Sequence, residues 1–242
     1  IISEPIGGIH GNFAMLGVFE KGKADVRFTA RSNGGHASAP PKNSPVARLA
    51  AFVDSMEKHP SFRKKFEPEV SAMFARLAAY APFALRLLFG NLWLFAPLMK
   101  LVMPAFSPQA GAMLRTTAAF TMLSGSDACN VLPQEASVWA NLRFIPHQGM
   151  DESLALIKKR AEKYGIETEV LSASDYSAPA DIHGEAWRRV TDTIAEVFPG
   201  LAWSPYVMTG ATDAKNYQAI CDNCIRFAPV IYGPEQMRGM HG

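Results

Sequence analysis

The sequence lacks the charge excess and the cysteine content that mark two common classes of protein. Its 242 residues contain 24 Lys and Arg against 22 Asp and Glu, and a net charge of +2 gives no basis for binding nucleic acid. Three cysteines, Cys129, Cys221 and Cys224, are an odd number and argue against a disulfide framework. The compartment stays open, with the cytoplasm favoured.

Long uncharged apolar runs are also missing. The most apolar segment covers residues 80–106, and its longest stretch without a charge, residues 87–99, has 13 residues. A membrane-spanning helix needs about 20, and Gly90, Pro97 and Pro104 interrupt the segment further. The sequence therefore predicts a buried or partner-facing helical pair, and it disfavours a membrane as a partner.

The periodicity of residues 18–174 predicts the order β-α-β-β-α-β. Ser44 and Pro45 are suited to begin the first helix, and His59-Pro60 to end it. Gly165 is suited to cap the second helix. The predicted strands are residues 24–31, 116–122, 135–144 and 167–171, and the predicted helices are residues 44–58 and 150–164. This order is that of a ferredoxin-like fold, one antiparallel sheet with two helices on one face.

The flanking segments predict parts of a second domain. Residues 1–17 are glycine-rich and are interpreted as the end of an earlier catalytic segment. Residues 176–242 alternate helices and strands, which is typical of an α/β layer: a helix at 185–198, a strand at 205–208, a helix from about 212 and a strand at 224–227. The predicted fold class is α+β, with a ferredoxin-like lid over residues 18–175 and a partial α/β domain.

Seven short motifs follow one another along the chain. They are Ser3-Glu4-Pro5, Gly34-Gly35-His36-Ala37-Ser38, Leu114-Arg115-Thr116-Thr117, Asn130-Val131-Leu132-Pro133, Asn141-Leu142-Arg143-Phe144, Thr209-Gly210-Ala211-Thr212-Asp213 and Met240-His241-Gly242. Their order and spacing resemble the di-zinc aminoacylase and carboxypeptidase family. The strongest likeness is to its Gly-X carboxypeptidase and N-acyl-amino-acid hydrolase branch, which is related to succinyl-diaminopimelate desuccinylase.

The resemblance implies a catalytic α/β domain that carries two zinc ions per active site. A ferredoxin-like lid interrupts that domain and makes a homodimer. Family members also have a His-x-Asp motif and a Glu-Glu pair ahead of the segment that matches Ser3-Glu4-Pro5. This sequence contains neither at that place, so we expect it to be part of a longer protein and to be catalytically inactive by itself.

By the same resemblance, Glu4 and His241 are ligands of different zinc ions in the pair. Zinc binds carboxylate oxygen and imidazole nitrogen readily, and a structural or catalytic site needs three or four protein ligands. Without the family likeness, Glu4 would be interpreted as a surface carboxylate and His241 as a terminal histidine. Two ligands alone cannot complete a site.

His36 and Asn130 are the lid residues that the resemblance places at the substrate. The matching histidine reaches the partner subunit's active site and donates a hydrogen bond to the carbonyl oxygen as it becomes negative. The matching asparagine helps to hold the substrate. Each also has a simpler interpretation, because a loop histidine can bond loop carbonyls and an asparagine often caps a turn.

Three further residues are candidates for binding a carboxylate. Arg143 lies in an alternating strand, and its guanidinium can grip a carboxylate with two hydrogen bonds or simply be solvated. Gly210 and Thr212 lie just before a predicted helix, where free backbone N–H groups attract an anion. Asp213 is expected to cap that helix, and the Cys221–Cys224 pair to be buried.

The sequence thus predicts a zinc-dependent hydrolase of amide bonds in small dipeptides or N-acyl amino acids that carry a free carboxylate. The alternative is a dimerisation or binding module without chemistry of its own. In both cases the expected protein partner is a second copy of the chain, bound through the lid helices or edge strands, with the apolar residues 80–106 contributing.

Overall fold

The computed structural model describes residues 1–6, 8–233 and 235–236. The chain divides into a lid unit, Gly22–Arg63 with Arg115–Tyr176, and a terminal unit, Ile1–Lys21, Lys64–Leu114 and Ser177–Gly242. The predicted lid covers residues 18–175, and the lid unit of the structure begins at Gly22 and ends at Tyr176. The predicted lid also enclosed residues 64–114, which the structure groups with the terminal unit instead.

Nine strands and eight helices are defined within the described residues. The strands are β1 (Ile2–Ser3), β2 (Asn12–Glu20), β3 (Gly22–Arg31), β4 (Gly35–His36), β5 (Thr117–Ser124), β6 (Val131–Leu132), β7 (Glu135–Phe144), β8 (Glu167–Ser174) and β9 (Ala202–Met208). The helices are α1 (Pro45–Lys58), α2 (Pro68–Ala78), α3 (Phe83–Gly90), α4 (Leu92–Phe106), α5 (Pro108–Ala112), α6 (Met150–Glu162), α7 (Glu185–Val197) and α8 (Ala214–Tyr217).

The lid unit contains a four-stranded antiparallel sheet in the order β5-β7-β3-β8. The alternation in β3 is strict: Ala24, Val26 and Phe28 are fully buried, while Lys23 and Asp25 project from the opposite face. With one helix after β3 and one after β7, the sheet has the predicted ferredoxin-like order, which confirms the fold class.

Aromatic packing joins the lid helix α1 to this sheet. The Phe52 ring on α1 is fully buried and lies 4.9 Å from the Phe28 ring and 5.6 Å from the Phe120 ring, measured between centroids. Ser44 is the N-cap of α1, as predicted, and its hydroxyl accepts from the Ala47 backbone N–H at 3.4 Å. The position of the lid core is therefore fixed by the predicted helix and strands together with Phe52, a residue that the helical periodicity did not single out.

The terminal unit contains a three-stranded sheet in the order β1-β2-β9. β2 is buried along nearly its whole length and runs parallel to β9. The sequence analysis did not assign β2, because its residues are almost uniformly apolar and follow a glycine-rich start. The predicted strand at 224–227 is reduced to one bridge between Arg226 and Gly17, and the helix expected near residue 212 is the single turn α8.

The segment that the prediction had placed in the lid forms helices α2 to α5 of the terminal unit. α2, which was not predicted, contacts β9, and its Arg76 guanidinium lies 3.5 Å from the centroid of the Trp203 ring. α3 and α4 form the predicted helical pair. No single helix among the described residues is long and apolar enough to cross a bilayer, and the α3–α4 pair, which is sufficiently apolar, bends by 108°.

Candidate functional site

A glycine turn after β3 fixes the position of His36 in the lid unit. Gly34 has a φ of +68° and Gly35 a φ of +145°, backbone conformations that residues with a Cβ rarely adopt. The Ser32 hydroxyl accepts from the Gly34 N–H at 3.0 Å and donates to the Pro133 carbonyl at 2.9 Å. The turn is therefore held against the segment that follows Asn130.

Two predicted site residues that are distant in sequence meet in a small ladder. β4 pairs with β6 so that His36 lies opposite Val131, and the Ala37 N–H donates to the Asn130 carbonyl at 2.9 Å. Both His36 and Asn130 are exposed to solvent. The backbones of His36 and Asn130 are thus adjacent on one exposed loop pair, and the roles that the resemblance gives to the two side chains stay predictions.

The hydrogen bonds around His36 select one tautomer of its ring. The backbone N–H of Ser38 lies 3.2 Å from His36 Nδ1 and can only donate, so Nδ1 must be an acceptor. The Ser38 hydroxyl lies 2.9 Å from the same nitrogen and can also donate to it. The proton of the neutral imidazole is therefore on Nε2, which is the atom left to donate to a ligand.

Arg143 lies far from this pair within the lid unit. Along β7, Glu135 is paired with Arg31 at the end nearest His36, whereas Arg143 is paired with Lys23 near the other end. The eight residue-to-residue steps from Glu135 to Arg143 extend about 27 Å at the usual rise of a strand. One small substrate cannot contact His36 and Arg143 of the same lid.

A polar network on the open face of the sheet holds Arg143. Its Nε donates to Asn141 Oδ1 at 2.9 Å, and Asn141 Nδ2 donates to Asp25 Oδ1 at 2.6 Å. The pKa of Asp25 is lowered, chiefly by a hydrogen bond from Lys23. Burial acts in the opposite direction, and further hydrogen bonds from Asn141 and Ser172 lower the pKa as well. Arg143 Nη1 is buried and has no hydrogen-bond partner within the part of the chain that the structure describes.

In the terminal unit, Glu20 is a buried carboxylate that the sequence analysis missed. Its side chain is 3% exposed and pairs at 2.8 Å with Arg226 Nε, whose side chain is 7% exposed. The Thr212 N–H donates to Glu20 Oε2 at 2.9 Å, and the Thr212 hydroxyl donates to Oε1. Burial opposes ionisation, but the bonds from Thr212 and Arg226 outweigh it and lower the pKa of Glu20.

This arrangement changes the interpretation of the 209–213 turn. The backbone N–H of Thr212, predicted to receive a substrate carboxylate, already donates to the carboxylate of Glu20. The Thr212 hydroxyl, rather than the predicted Asp213 side chain, accepts from the first helical N–H, that of Ala214, at 3.2 Å. Gly210 is exposed with open space around its Cα, so of the two predicted anion binders it is the accessible one.

The described residues include one of the two predicted metal ligands, Glu4. Glu4 has a φ of +52°, and its Oε1 lies 3.0 Å from Nδ1 of His10, a histidine to which the sequence analysis gave no role. His241 lies outside the described residues. Over the ranges that the structure describes, no group of three or more His, Cys, Asp and Glu side chains could hold a metal ion, so these residues alone do not fit a zinc pair.

Comparison with known families gives one match, the peptidase dimerisation domain, which covers residues 18–169. The chain is 30% identical to the human N-fatty-acyl-amino acid synthase/hydrolase PM20D1 over 245 residues, all of this chain and 49% of that protein. It is 28% identical to the probable carboxypeptidase S-like 2 of Dictyostelium discoideum, over 97% of this chain and 45% of that protein. The chain thus spans about half the length of the curated relatives it matches.

Among solved structures, the aminopeptidase PepT of Bacillus cereus has a similar fold. The TM-score is 0.53 at 17% sequence identity, and the match covers 90% of this chain and 46% of that one. At this identity the likeness concerns the fold alone.

Proposed function

Because this chain belongs to the peptidase dimerisation domain family, we propose that its protein hydrolyses amide bonds in N-acyl amino acids or small peptides with a free carboxylate. The observation that carries the proposal is the His36–Asn130 pair, with the imidazole proton directed to Nε2. The names of the relatives, a fatty-acyl-amino acid hydrolase and a carboxypeptidase, support the same substrate class.

The role proposed for His36 is to stabilise negative charge on the substrate. As the amide carbonyl is attacked, its oxygen becomes an oxyanion, and the Nε2–H of His36 donates to it while Nδ1 stays bonded to Ser38. The Asn130 carboxamide, next to His36, has both a donor and an acceptor for holding the acyl group or the carboxylate.

Arg143 is proposed to grip a substrate carboxylate, but not on the substrate that its own lid's His36 contacts. The length of β7 separates the two side chains by more than a small substrate spans. In a homodimer, His36 and Asn130 of one lid and Arg143 of the other can serve one site. This division supports the proposal that His36 acts on the partner subunit's substrate.

Zinc is proposed as the cofactor, two ions per active site, with Glu4 and His241 as one ligand each. Zinc supplies an activated water when bound. The described residues do not assemble the remaining ligands, so the chemistry that this chain contributes is restricted to binding and hydrogen bonding.

A homodimer formed by edge strands of the lid sheet is proposed as the working assembly. β5 and β8 are the two edges of that sheet, and each leaves backbone groups unpaired. Met122 and Leu123 on β5 are 60% and 65% exposed, and Val170 and Leu171 on β8 are 44% and 49% exposed. Sedimentation at tens of micromolar should show a dimer that Leu123→Lys or Leu171→Lys weakens; a wild-type monomer contradicts the proposal.

The test of function uses the whole protein encoded by the gene of this chain, with N-acyl amino acids of several chain lengths as substrates. His36→Ala should lower kcat by about 10² to 10³ with unchanged zinc content, as for the loss of one oxyanion donor. His59→Ala is the matched control, since His59 only ends α1. A protein with bound zinc that hydrolyses none of the substrates contradicts the proposed function.

Mixing subunits separates the trans role from a cis role. His36→Ala protein and His241→Ala protein, each inactive alone, should regain activity after subunit exchange, because one intact site forms per heterodimer. If exchange is verified and the mixture stays inactive, the trans role is wrong. If His36→Ala instead lowers zinc content, His36 is a ligand.

A further inference from the structure

The helical pair α3–α4 of the terminal unit exposes an apolar face that a helix normally buries. On α4, Trp93, Leu94, Leu98 and Leu101 are 82%, 56%, 50% and 71% exposed. On α3, Phe83 is 80% exposed. These side chains cover enough apolar surface that they mark a contact with something other than water.

The exposed residues of α4 form one continuous stripe. They recur every three or four positions along the helix and include no polar residue; the stripe consists of Trp93, Leu94, Pro97, Leu98, Leu101 and Ala105. Met99 and Met103 on the opposite side are 5% and 7% exposed and pack into the protein. α4 is therefore apolar on both faces, but only one of them is covered by this chain.

The charged residues that flank the stripe in the sequence are of one sign. Residues 70–114 contain Arg76, Arg86 and Lys100 and no Asp or Glu. Lys100, on α4, is only partly exposed, and its long stem can lie along the apolar face while the ammonium reaches outward. A second copy docked symmetrically on this face would bring like charges together, whereas an anionic surface complements them.

We propose that the α3–α4 stripe docks on the surface of an anionic phospholipid bilayer. The pair lies in the interface, with the leucines among acyl chains, Trp93 at the headgroup level and Arg86 and Lys100 near lipid phosphates. This contact differs from a membrane span, for which neither helix is long enough.

Vesicle flotation tests the proposal on the whole protein encoded by the gene of this chain, using phosphatidylcholine vesicles with and without phosphatidylserine. The wild-type chain should float with anionic vesicles, and less with neutral ones. The triple variant Leu94→Gln, Leu98→Gln, Leu101→Gln should bind at least about tenfold more weakly, since each change removes apolar burial. The matched control Val197→Gln, Ile220→Gln, Ile231→Gln alters residues of similar exposure elsewhere in the terminal unit and should bind like the wild type.

A second measurement keeps the proposal open to refutation if the triple variant fails to fold. Anionic vesicles should shift the tryptophan emission of the wild type to shorter wavelength, and Trp93→Phe should abolish most of this shift, because Trp187 is only 5% exposed. The proposal is overturned if the wild type floats with neither kind of vesicle, or if the triple variant and the control bind equally. It is also overturned if the triple variant changes only self-association, which would assign the stripe to a second copy.

Discussion

The two units of this chain are stabilised in different ways. The lid unit is built from two segments. It keeps charged side chains such as Lys23 and Asp25 on the open face of its sheet, and the polar side chains that it buries, such as Thr29 and Ser137, are neutral. The terminal unit is built from three segments and joins two of them through the buried pair of Glu20 and Arg226. The lid therefore depends on packing, whereas the terminal unit also depends on an internal charge pair whose partners must both be present.

The largest effect is expected from Phe52→Ala in the lid core. The side chain is fully buried against Phe28 and Phe120, so the free energy of unfolding of the lid should fall by about 3 to 5 kcal/mol. Trp139 lies in the lid unit and Trp187 in the terminal unit. Variants that keep only one of these tryptophans therefore report the unfolding of one unit by fluorescence in a urea titration.

Phe74→Ala is the matched change in the terminal unit, where Phe74 is 1% exposed and packs on Phe89. It should shift the Trp187 transition more than the Trp139 transition. Equal shifts at both tryptophans for both variants would mean that the chain unfolds as one cooperative body, and the comparison between units would fail for stability.

The next effect concerns Glu20. Glu20→Gln leaves Arg226 buried without its counter-ion, and we expect a loss of about 3 kcal/mol in the free energy of unfolding at pH 7. Because the pKa of Glu20 is lowered in the folded state, its contribution is present above the ordinary value of 4.5 and is lost as the pH falls through the folded pKa. The difference between wild type and variant should therefore shrink below pH 4.5.

Asp25→Asn provides the contrast in the lid. The pKa of Asp25 is also lowered, chiefly by Lys23, but its side chain is 39% exposed, so its removal should cost well below 1 kcal/mol. If Asp25→Asn destabilises as much as Glu20→Gln, polar networks matter equally in the two units.

A smaller effect is expected from Gly34→Ala in the turn before His36. A Cβ at Gly34 would be 2.8 Å from Gln134 Cγ, and the φ of +68° adds backbone strain, so we expect a loss of about 1 to 2 kcal/mol. The NMR signals of the His36 ring should show a smaller population of the tautomer in which Nδ1 accepts hydrogen bonds. Gly90→Ala, which meets nothing within 4 Å at the end of α3, should be neutral or slightly stabilising.

The last comparison is between two helix N-termini, one in each unit. Ser44→Ala removes the hydroxyl that accepts from the Ala47 N–H, at a cost of about 1 kcal/mol. Asp213 occupies the same position before α8 without a side-chain hydrogen bond, so Asp213→Ala should cost less. Thermal unfolding of the two variants compares them directly, and a larger loss at Asp213 would reverse the expected order.

The fold of the lid was predictable because its information is local. Alternation in residues 135–144 and the Ser44 cap each specify an element from neighbouring residues alone, and both were confirmed. β2 was missed because a strand buried on both faces carries no alternation. The charge pair of Glu20 with Arg226 was missed because its partners are 206 residues apart, and no short motif records a contact at that distance.

In the candidate site, too, some features were predictable from the sequence and others depend on contacts that only the structure shows. The resemblance selected His36 and Asn130, and the β4–β6 ladder places them together. The sequence did not indicate that Ser38 sets the tautomer of His36, or that Glu20 occupies the Thr212 N–H, since both depend on side-chain geometry. The assignment of Glu4 and His241 to zinc stays a prediction.

The length of β7 has a consequence for how this lid can evolve. The strand is a rigid spacer between two proposed substrate contacts, the loop pair of His36 and the Arg143 end of the sheet. Deleting two residues from β7 would keep every side chain on its own face but shorten the spacer by about 7 Å. Deleting one residue would move the Arg143 side chain from the open face of the sheet to its buried face. Variation in this strand is therefore expected in steps of two, and any such step would have to be matched by β3.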